Sequence, residues 1–234
     1  MNIVAVYARI YAKAFTDALA AIAKNPWTLL LPMGIAVAGL VLVLLVFTVL
    51  GSLIGGFLAG LAQSAALSVY CFFLGGLVAN QKVGLDQLKT SIGAYFWSWI
   101  SIFFVLWIAR ILLGPVFASN VGIARAYDFV LIAALNAVPE VIYQKGTRGG
   151  LETIGRNFSF LQENPIEWFL PNAPLLAVVY AAQLFSVLSL TPLGIGGALV
   201  AGILLHVAMV FRGFLFEALD GSTHRQRMFR FRNG

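Results

Sequence analysis

The stretch Asn25-Pro26-Trp27-Thr28-Leu29-Leu30-Leu31-Pro32 decides the reading of this chain, because its spaced pairs, Asn-Pro and Leu-Pro, return as Asn164-Pro165 and Leu170-Pro171. Both pairs are displaced by 139 residues, from 25 to 164 and from 31 to 170. An amphipathic segment with charges precedes each copy, and an apolar run long enough to enter a bilayer follows it. Proline disfavours helical geometry in the residue before it, so each Asn-Pro marks the end of one helix and the start of another. The pattern predicts a multi-pass membrane protein with an internal repeat.

Composition points the same way. Apolar residues make up 61% of the 234 and charged residues only 10%, whereas about a quarter of the residues of a soluble domain are charged. Spans of about 20 residues each would use up most of the chain, leaving no room for an extramembrane domain of ordinary size. The one cysteine, Cys71, lies inside an apolar run, which excludes an intrachain disulfide and a Cys-based metal cluster. The segment before Asn25 lacks a continuous apolar core with a small-residue cleavage site. The first span is therefore expected to act as its own insertion signal.

Taken in order, residues 1–24 place Ile3, Val4, Tyr7, Ile10, Tyr11, Phe15, Leu19 and Ile22 near one helical face, with Arg9, Lys13, Asp17 and Lys24 toward another. Such a helix is expected to lie in the membrane interface. Span one is expected over 27–50, and Gly51, Gly55 and Gly56 mark a turn into span two, which ends near Ala79. No charge occurs between Lys24 and Lys82, too long a run for one span. Span three is expected over 95–114, with Tyr95, Trp97 and Trp99 as an interfacial belt. A loop with Gly114-Pro115 and Asn120 leads to a more polar span four over 126–143. In the second surface helix, over 147–163, Leu151, Ile154, Phe158 and Leu161 share a face and Glu152 and Arg156 form an i,i+4 pair. Spans five and six follow over 166–190 and up to Leu219, turning at Thr191-Pro192 and Gly194.

The predicted fold is thus all-α: six transmembrane helices and two amphipathic interfacial helices. The expected parts are an interfacial helix (1–24), a first hairpin (25–79), a central helix pair (95–143), a second interfacial helix (147–163), a second hairpin (164–219) and a basic tail (220–234). Spans two and six align at an offset of 138, matching Gly56, Phe73 and Gly75 with Gly194, Phe211 and Gly213. Gly51, Gly55, Gly56 and Gly60, with Gly194 and Gly197 in the second hairpin, are spaced for close helix packing in lipid.

On a six-span path the basic residues before span one, after span two, after span four and after span six all fall on one side, with Arg125 the exception. Positive charge marks the cytoplasmic side, so both termini are expected in the cytoplasm, with the chain in a bacterial cytoplasmic membrane. Both hairpins then start from the same side. The repeat is parallel, unlike the inverted repeats of many secondary transporters.

Ionisable residues within spans are the candidates for chemistry. Depth pairs Arg110 with Asp128 near the outer ends of spans three and four, and Glu140 with Arg212 near the inner ends of spans four and six. Clasps between helices are the preferred reading of these pairs over a transport route, because buried charges are paired wherever possible. His206, in the middle of span six, suits a proton-linked role or a hydrogen-bonded packing role, with Asn136 or Gln183 as its expected partner. No zinc-binding histidine pair, nucleophile elbow, phosphate loop or paired intramembrane aspartates occurs. Neither an enzyme nor a cofactor or metal site is expected. The tail interleaves Arg225, Arg227, Arg230 and Arg232 with Phe229 and Phe231, which suits anionic lipid head groups on the cytoplasmic side better than nucleic acid, for which ten residues offer no reading fold.

The Asn-Pro surface helix leading into a Leu-Pro span, the stretch Pro139-Glu140-Val141-Ile142-Tyr143 and the ending Phe211-Arg212-Gly213 resemble the uncharacterised bacterial multi-pass proteins related to the membrane domain found with some glycerophosphodiester phosphodiesterases. The resemblance implies a membrane domain without catalytic residues of its own. The phosphodiesterase activity is not implied, since no soluble domain of that kind is present in the sequence. The expected function is a scaffold or accessory subunit of a membrane assembly, with protein partners or further copies of itself. The alternatives are a transporter or channel for a small or lipid-like solute and an intramembrane enzyme acting on lipids. If Glu140, Asn136 and His206 are dry and paired, the scaffold gains; if they line a wetted cavity, transport gains.

Overall fold

The computed structural model describes residues 3–185, 192–222 and 226. Its regular elements are all helical: α1 (Ile3–Lys24), α2 (Leu31–Val78), α3 (Leu88–Ala94), α4 (Phe96–Ser119), α5 (Val121–Ala134), α6 (Val138–Lys145), α7 (Gly150–Glu163), α8 (Pro165–Phe185) and α9 (Pro192–Leu219), with single 3-10 segments at Pro26–Leu30 and Leu85–Gln87. Among the described residues four stretches are long and apolar enough to cross a bilayer: Gly55–Val78, Phe96–Ser119, Val121–Lys145 and Gly197–Leu219. A fifth arises if Ala5–Lys24 and Pro26–Leu42, which meet at 99°, count as one broken span. That bend falls at Asn25-Pro26, where the chain was expected to break. It is the geometry of a helix lying across the one that follows.

Two expectations about boundaries change and a third falls outside the described residues. The helical backbone runs without interruption from Leu31 to Val78, through the glycines expected to form a turn. Glycine in a helix costs about 1 kcal/mol relative to alanine, less than opening a peptide group to lipid, where no water can bond it. Yet α2 is not straight. Forty-eight straight helical residues would measure about 70 Å, whereas the Asn25 side chain bonds the Val83 backbone at 3.0 Å. Even fully extended, the residues joining those two to the helix ends reach only about 45–50 Å. The helix therefore bends back toward its own start. Second, α4 continues through Gly114 and Pro115 to Ser119, because a proline forfeits one helical bond without ending the helix where packing permits. The loop shrinks to Asn120, whose side chain caps α5 by accepting from the Gly122 and Ile123 N–H groups at 2.9 and 3.2 Å. Third, the expected turn at Thr191 lies outside the described residues, although α8 and α9 pack on each other.

The chain divides into two compact units, Met1–Pro32 with Leu74–Val83 and Phe160–Gly234, and Met33–Phe73 with Gly84–Ser159. In the first, α1 packs on α9, with Phe15 on Phe211 at 6.3 Å and, beyond the bend, Thr28 at His206. The buried edge of α1 is Val6, Ile10, Ala14, Ala18 and Ala21, while Phe15 and Leu19 of the expected apolar face stay exposed. Small residues let two helices approach closely, so alanines line the buried edge of α1 while the exposed Phe15 meets Phe211 from its side. Phe160, Trp168 and Phe216 close the core with ring separations of 4.3 to 6.1 Å. Beyond Asn172 on α8 and before His206 on α9, the described side chains are mostly exposed and apolar.

The second unit has the same division. Its packed part holds Ser64, Ser68, Phe73, Ser91, Trp99, Ile102 and residues 136–143. Its arms, the first half of α2 and the joined α4 and α5, expose Leu44, Val49, Phe57, Trp107, Ile111, Leu112 and Phe129. Exposed apolar surface of this extent marks a lipid-facing or partner-facing region. On α7 the inward residues are Thr153 and Asn157, and the outward ones include Leu151 and Phe158. Of the expected apolar face, Leu151 and Phe158 lie outward and Leu161 is buried.

Candidate functional site

The polar side chains of the first unit gather at the two Asn-Pro junctions. At the first, the Asn25 amide nitrogen donates to the Ala21 and Gln81 carbonyls at 3.1 Å, and its oxygen accepts from Val83 N–H at 3.0 Å. Trp27 Nε1 donates to the Val83 carbonyl at 3.2 Å and Lys24 Nζ to Asn80 Oδ1 at 2.6 Å. One asparagine thus ties the end of α1 to the segment after α2. Asn80 adopts φ +58°, a left-handed conformation that asparagine tolerates and that turns the chain out of α2.

Three residues on, the Thr28 hydroxyl donates to the Asn25 carbonyl at 2.8 Å and lies 3.2 Å from His206 Nε2. With the threonine proton engaged, Nε2 carries the imidazole proton and donates to Oγ1. Both residues are fully buried. Thr28, from the organising stretch itself, is a partner of His206; of the two expected ones, Asn136 belongs to the second unit and the Gln183 side chain lies outside the described residues. His206 lies near the middle of the candidate span Gly197–Leu219, as expected, where α9 passes from its exposed arm into the packed part.

At the second junction Asn164 repeats one bond of Asn25, donating to the carbonyl four residues back, Phe160, at 3.1 Å. Its oxygen is buried and has no hydrogen-bond partner among the described residues. Glu167, which occupies the repeat position of Thr28, is buried and accepts from Tyr7 OH at 2.9 Å, while its backbone carbonyl accepts from Tyr11 OH at 3.1 Å. Burial, and then the Glu167 charge, push the Tyr11 phenol up to about 12. Buried Arg212 lies over the Trp168 ring at 5.1 Å, a cation–π contact. Asn172 donates to the Trp168 carbonyl at 2.6 Å.

In the second unit Asn157 bridges the break between α5 and α6, accepting from Ala137 N–H at 3.0 Å and donating to the Ala134 carbonyl at 2.6 Å. Ser68 donates to the Ser91 carbonyl and accepts from Tyr95 N–H, both at 2.8 Å, and Ser98 donates to the Thr147 carbonyl at 2.7 Å. Glu140 is fully buried on α6 and Asn136 buried just before it. Of the expected inner pair, Arg212 belongs to the first unit and Glu140 to the second. Arg110 and Asp128 come together as expected by depth, Nη1 to Oδ1 at 3.9 Å, with side chains 69% and 45% exposed. Glu152 and Arg156 pair at 2.9 Å on the exposed side of α7.

Three of the expected packing glycines have open space beside them, and Gly55 is buried. A methyl group added at Gly56, Gly60 or Gly197 would meet nothing within 4 Å. Gly51 and Gly55 lie in the continuous helix α2, and the surroundings of Gly194 lie outside the described residues. The close approach is at Gly150, where a Cβ would stand 2.5 Å from the Ser101 carbonyl oxygen. Arg225, Arg227, Arg230 and Arg232 also lie outside the described residues.

Sequence reasoning passed over Thr28, Glu167, Trp168, Asn157 and Gly150. The first three were within reach, because they stand inside the repeated frame. Among the described residues no three His, Cys, Asp or Glu side chains gather as a metal site. Comparison with family models, with curated proteins and with solved structures finds no match to this chain.

Proposed function

We propose that this chain is a non-enzymatic integral membrane scaffold, an accessory subunit of an assembly in a bacterial cytoplasmic membrane. The observation that supports this most is the state of the polar residues: His206 is buried against Thr28, and Glu140 and Asn136 are buried as well. Buried polar groups with internal partners hold helices in register. A solute route needs such groups turned to water.

In this reading the path has six spans, with both termini in the cytoplasm and the two hairpins as parallel copies. The tie between Asn25 and Val83 supports it, because α2 must return toward its own start. Gly51, Gly55 and Gly56 are where the backbone has least side-chain bulk to oppose the reversal. The basic tail adds attraction to anionic lipid, about 1 kcal/mol for each arginine near the surface.

Purification in mild detergent followed by mass spectrometry tests the proposal. A reproducible companion protein, retained by wild type, is the expected result. A solitary monodisperse chain that moves solute across liposome membranes would overturn it.

A further inference from the structure

The arm formed by α4 and α5 carries charge where the other apolar arms carry none. Between Lys89 and Glu140 the only charged residues are Arg110, Arg125 and Asp128, and there are none from Lys24 to Lys82 or from Glu167 to Arg212. Because α4 runs on to Ser119, the tip of the arm is Asn120. Arg110 precedes the tip by ten residues and Asp128 follows it by eight. At 1.5 Å per residue they lie about 15 and 12 Å below the tip, near the middle of a hydrocarbon core about 30 Å thick. Arg125 is closer to the tip and has a long side chain that can reach the head groups.

Asp128 has no such reach, since one methylene separates its carboxylate from the backbone. Its pairing with Arg110 spans 3.9 Å, longer than a hydrogen bond, and both side chains remain largely exposed. Charged residues at such depth face other protein or a water-filled cavity. Trp107, three residues before Arg110 on α4, and Phe129, next to Asp128 on α5, add exposed apolar surface.

We propose that this face is where two copies of the chain pair in the membrane, Arg110 of each copy meeting Asp128 of the other. The face offers one cation and one anion side by side, which is self-complementary under a two-fold axis: two copies related by that axis satisfy both charges with nothing else supplied. A different protein would have to bring its own matched pair. The proposal rests on the membrane reading above and names the surface through which the scaffold associates with itself.

The test uses the full chain with two different affinity tags, coexpressed and extracted in mild detergent. Wild-type copies are expected to recover each other. Arg110→Asp alone and Asp128→Arg alone place like charges opposite each other, and each is expected to lose self-association at least tenfold. Mixing Arg110→Asp with Asp128→Arg restores both opposite-charge contacts between copies and is expected to restore recovery. Pairing confined to one chain cannot produce that rescue. Self-association of either single variant at the wild-type level, or no rescue on mixing, would overturn the proposal. Should the reversals fail to insert, Trp107→Cys, one turn from Arg110 on the same face of α4, in otherwise native chain supplies a second reading. A crosslinked dimer in native membranes supports the paired face, and its absence overturns it. A companion protein recovered with monomeric copies would likewise overturn the pairing while leaving the scaffold proposal standing.

Discussion

The two Asn-Pro junctions share a frame and differ in what they hold. Asn25 and Asn164 both donate to the carbonyl four residues back, at 3.1 Å, as each surface helix ends. At the first, the amide also donates to Gln81 and accepts from Val83, so the loop after α2 is sewn to the end of α1. At the second, the oxygen is buried without a partner among the described residues. The repeat positions diverge as well: Thr28 faces His206, whereas Glu167 faces Tyr7 and Tyr11. The helix ending is common to both copies. The polar contents of each are individual.

The sharpest way to break this comparison is to remove both asparagines in turn. Asn25→Ala loses three bonds and leaves the Val83 N–H buried, so unfolding in mild detergent is expected to ease by about 3 kcal/mol. Asn164→Ala loses one bond and removes an unpaired oxygen, so about 1 kcal/mol or less is expected. Equal losses would show that the difference between the junctions carries no energy.

Repeat position 11 gives the next test, since Tyr11 in the first copy corresponds to Gly150 in the second. Gly150→Ala would drive a methyl group against the Ser101 backbone, with an expected cost of about 2 kcal/mol. Gly56→Ala, where nothing stands within 4 Å, is expected to be neutral or slightly stabilising in a helix. Thermal inactivation of both variants side by side checks the contrast. Thr28→Val keeps the shape and deletes the hydroxyl that His206 uses, and about 1 kcal/mol is the expected loss. A value indistinguishable from wild type would remove that bond from the account.

The smallest effect is in alkaline solution. The Tyr11 phenol is pushed from 10 up to about 12 by burial and then by Glu167. A raised folded-state value means that the contribution to stability is whole below pH 10 and is lost as pH climbs toward 12. Tyr11→Phe is therefore expected to flatten the decline of stability between pH 10 and 12. An unchanged slope in denaturation curves across that window would count against the Tyr11–Glu167 contact.

The break at Asn25-Pro26 and the amphipathic character of α7 were legible in sequence, because proline geometry and helical periodicity are local. The Arg110–Asp128 pairing was legible as well, from depth alone. The inner face of α1 was not: hydrophobic size singles out Phe15 and Leu19, whereas close packing on α9 uses Ala14, Ala18 and Ala21. Nor were the helices that run through Gly51 and Pro115, since the signals that end a helix in water weaken where an open peptide group has no solvent to meet it. Thr28 as a partner of His206 was missed because it stands 178 residues away, and nothing local links the two.

The central claim is that α2 turns back on itself, so that the chain before it meets the chain after it. Spin labels placed at Leu30 and Lys82, both on exposed positions, measure this directly by dipolar distance in lipid. The account predicts a separation of under about 30 Å, set by the Asn25–Val83 tie plus label reach. A distance of about 70 Å, the length of forty-eight residues in a straight helix, would contradict it.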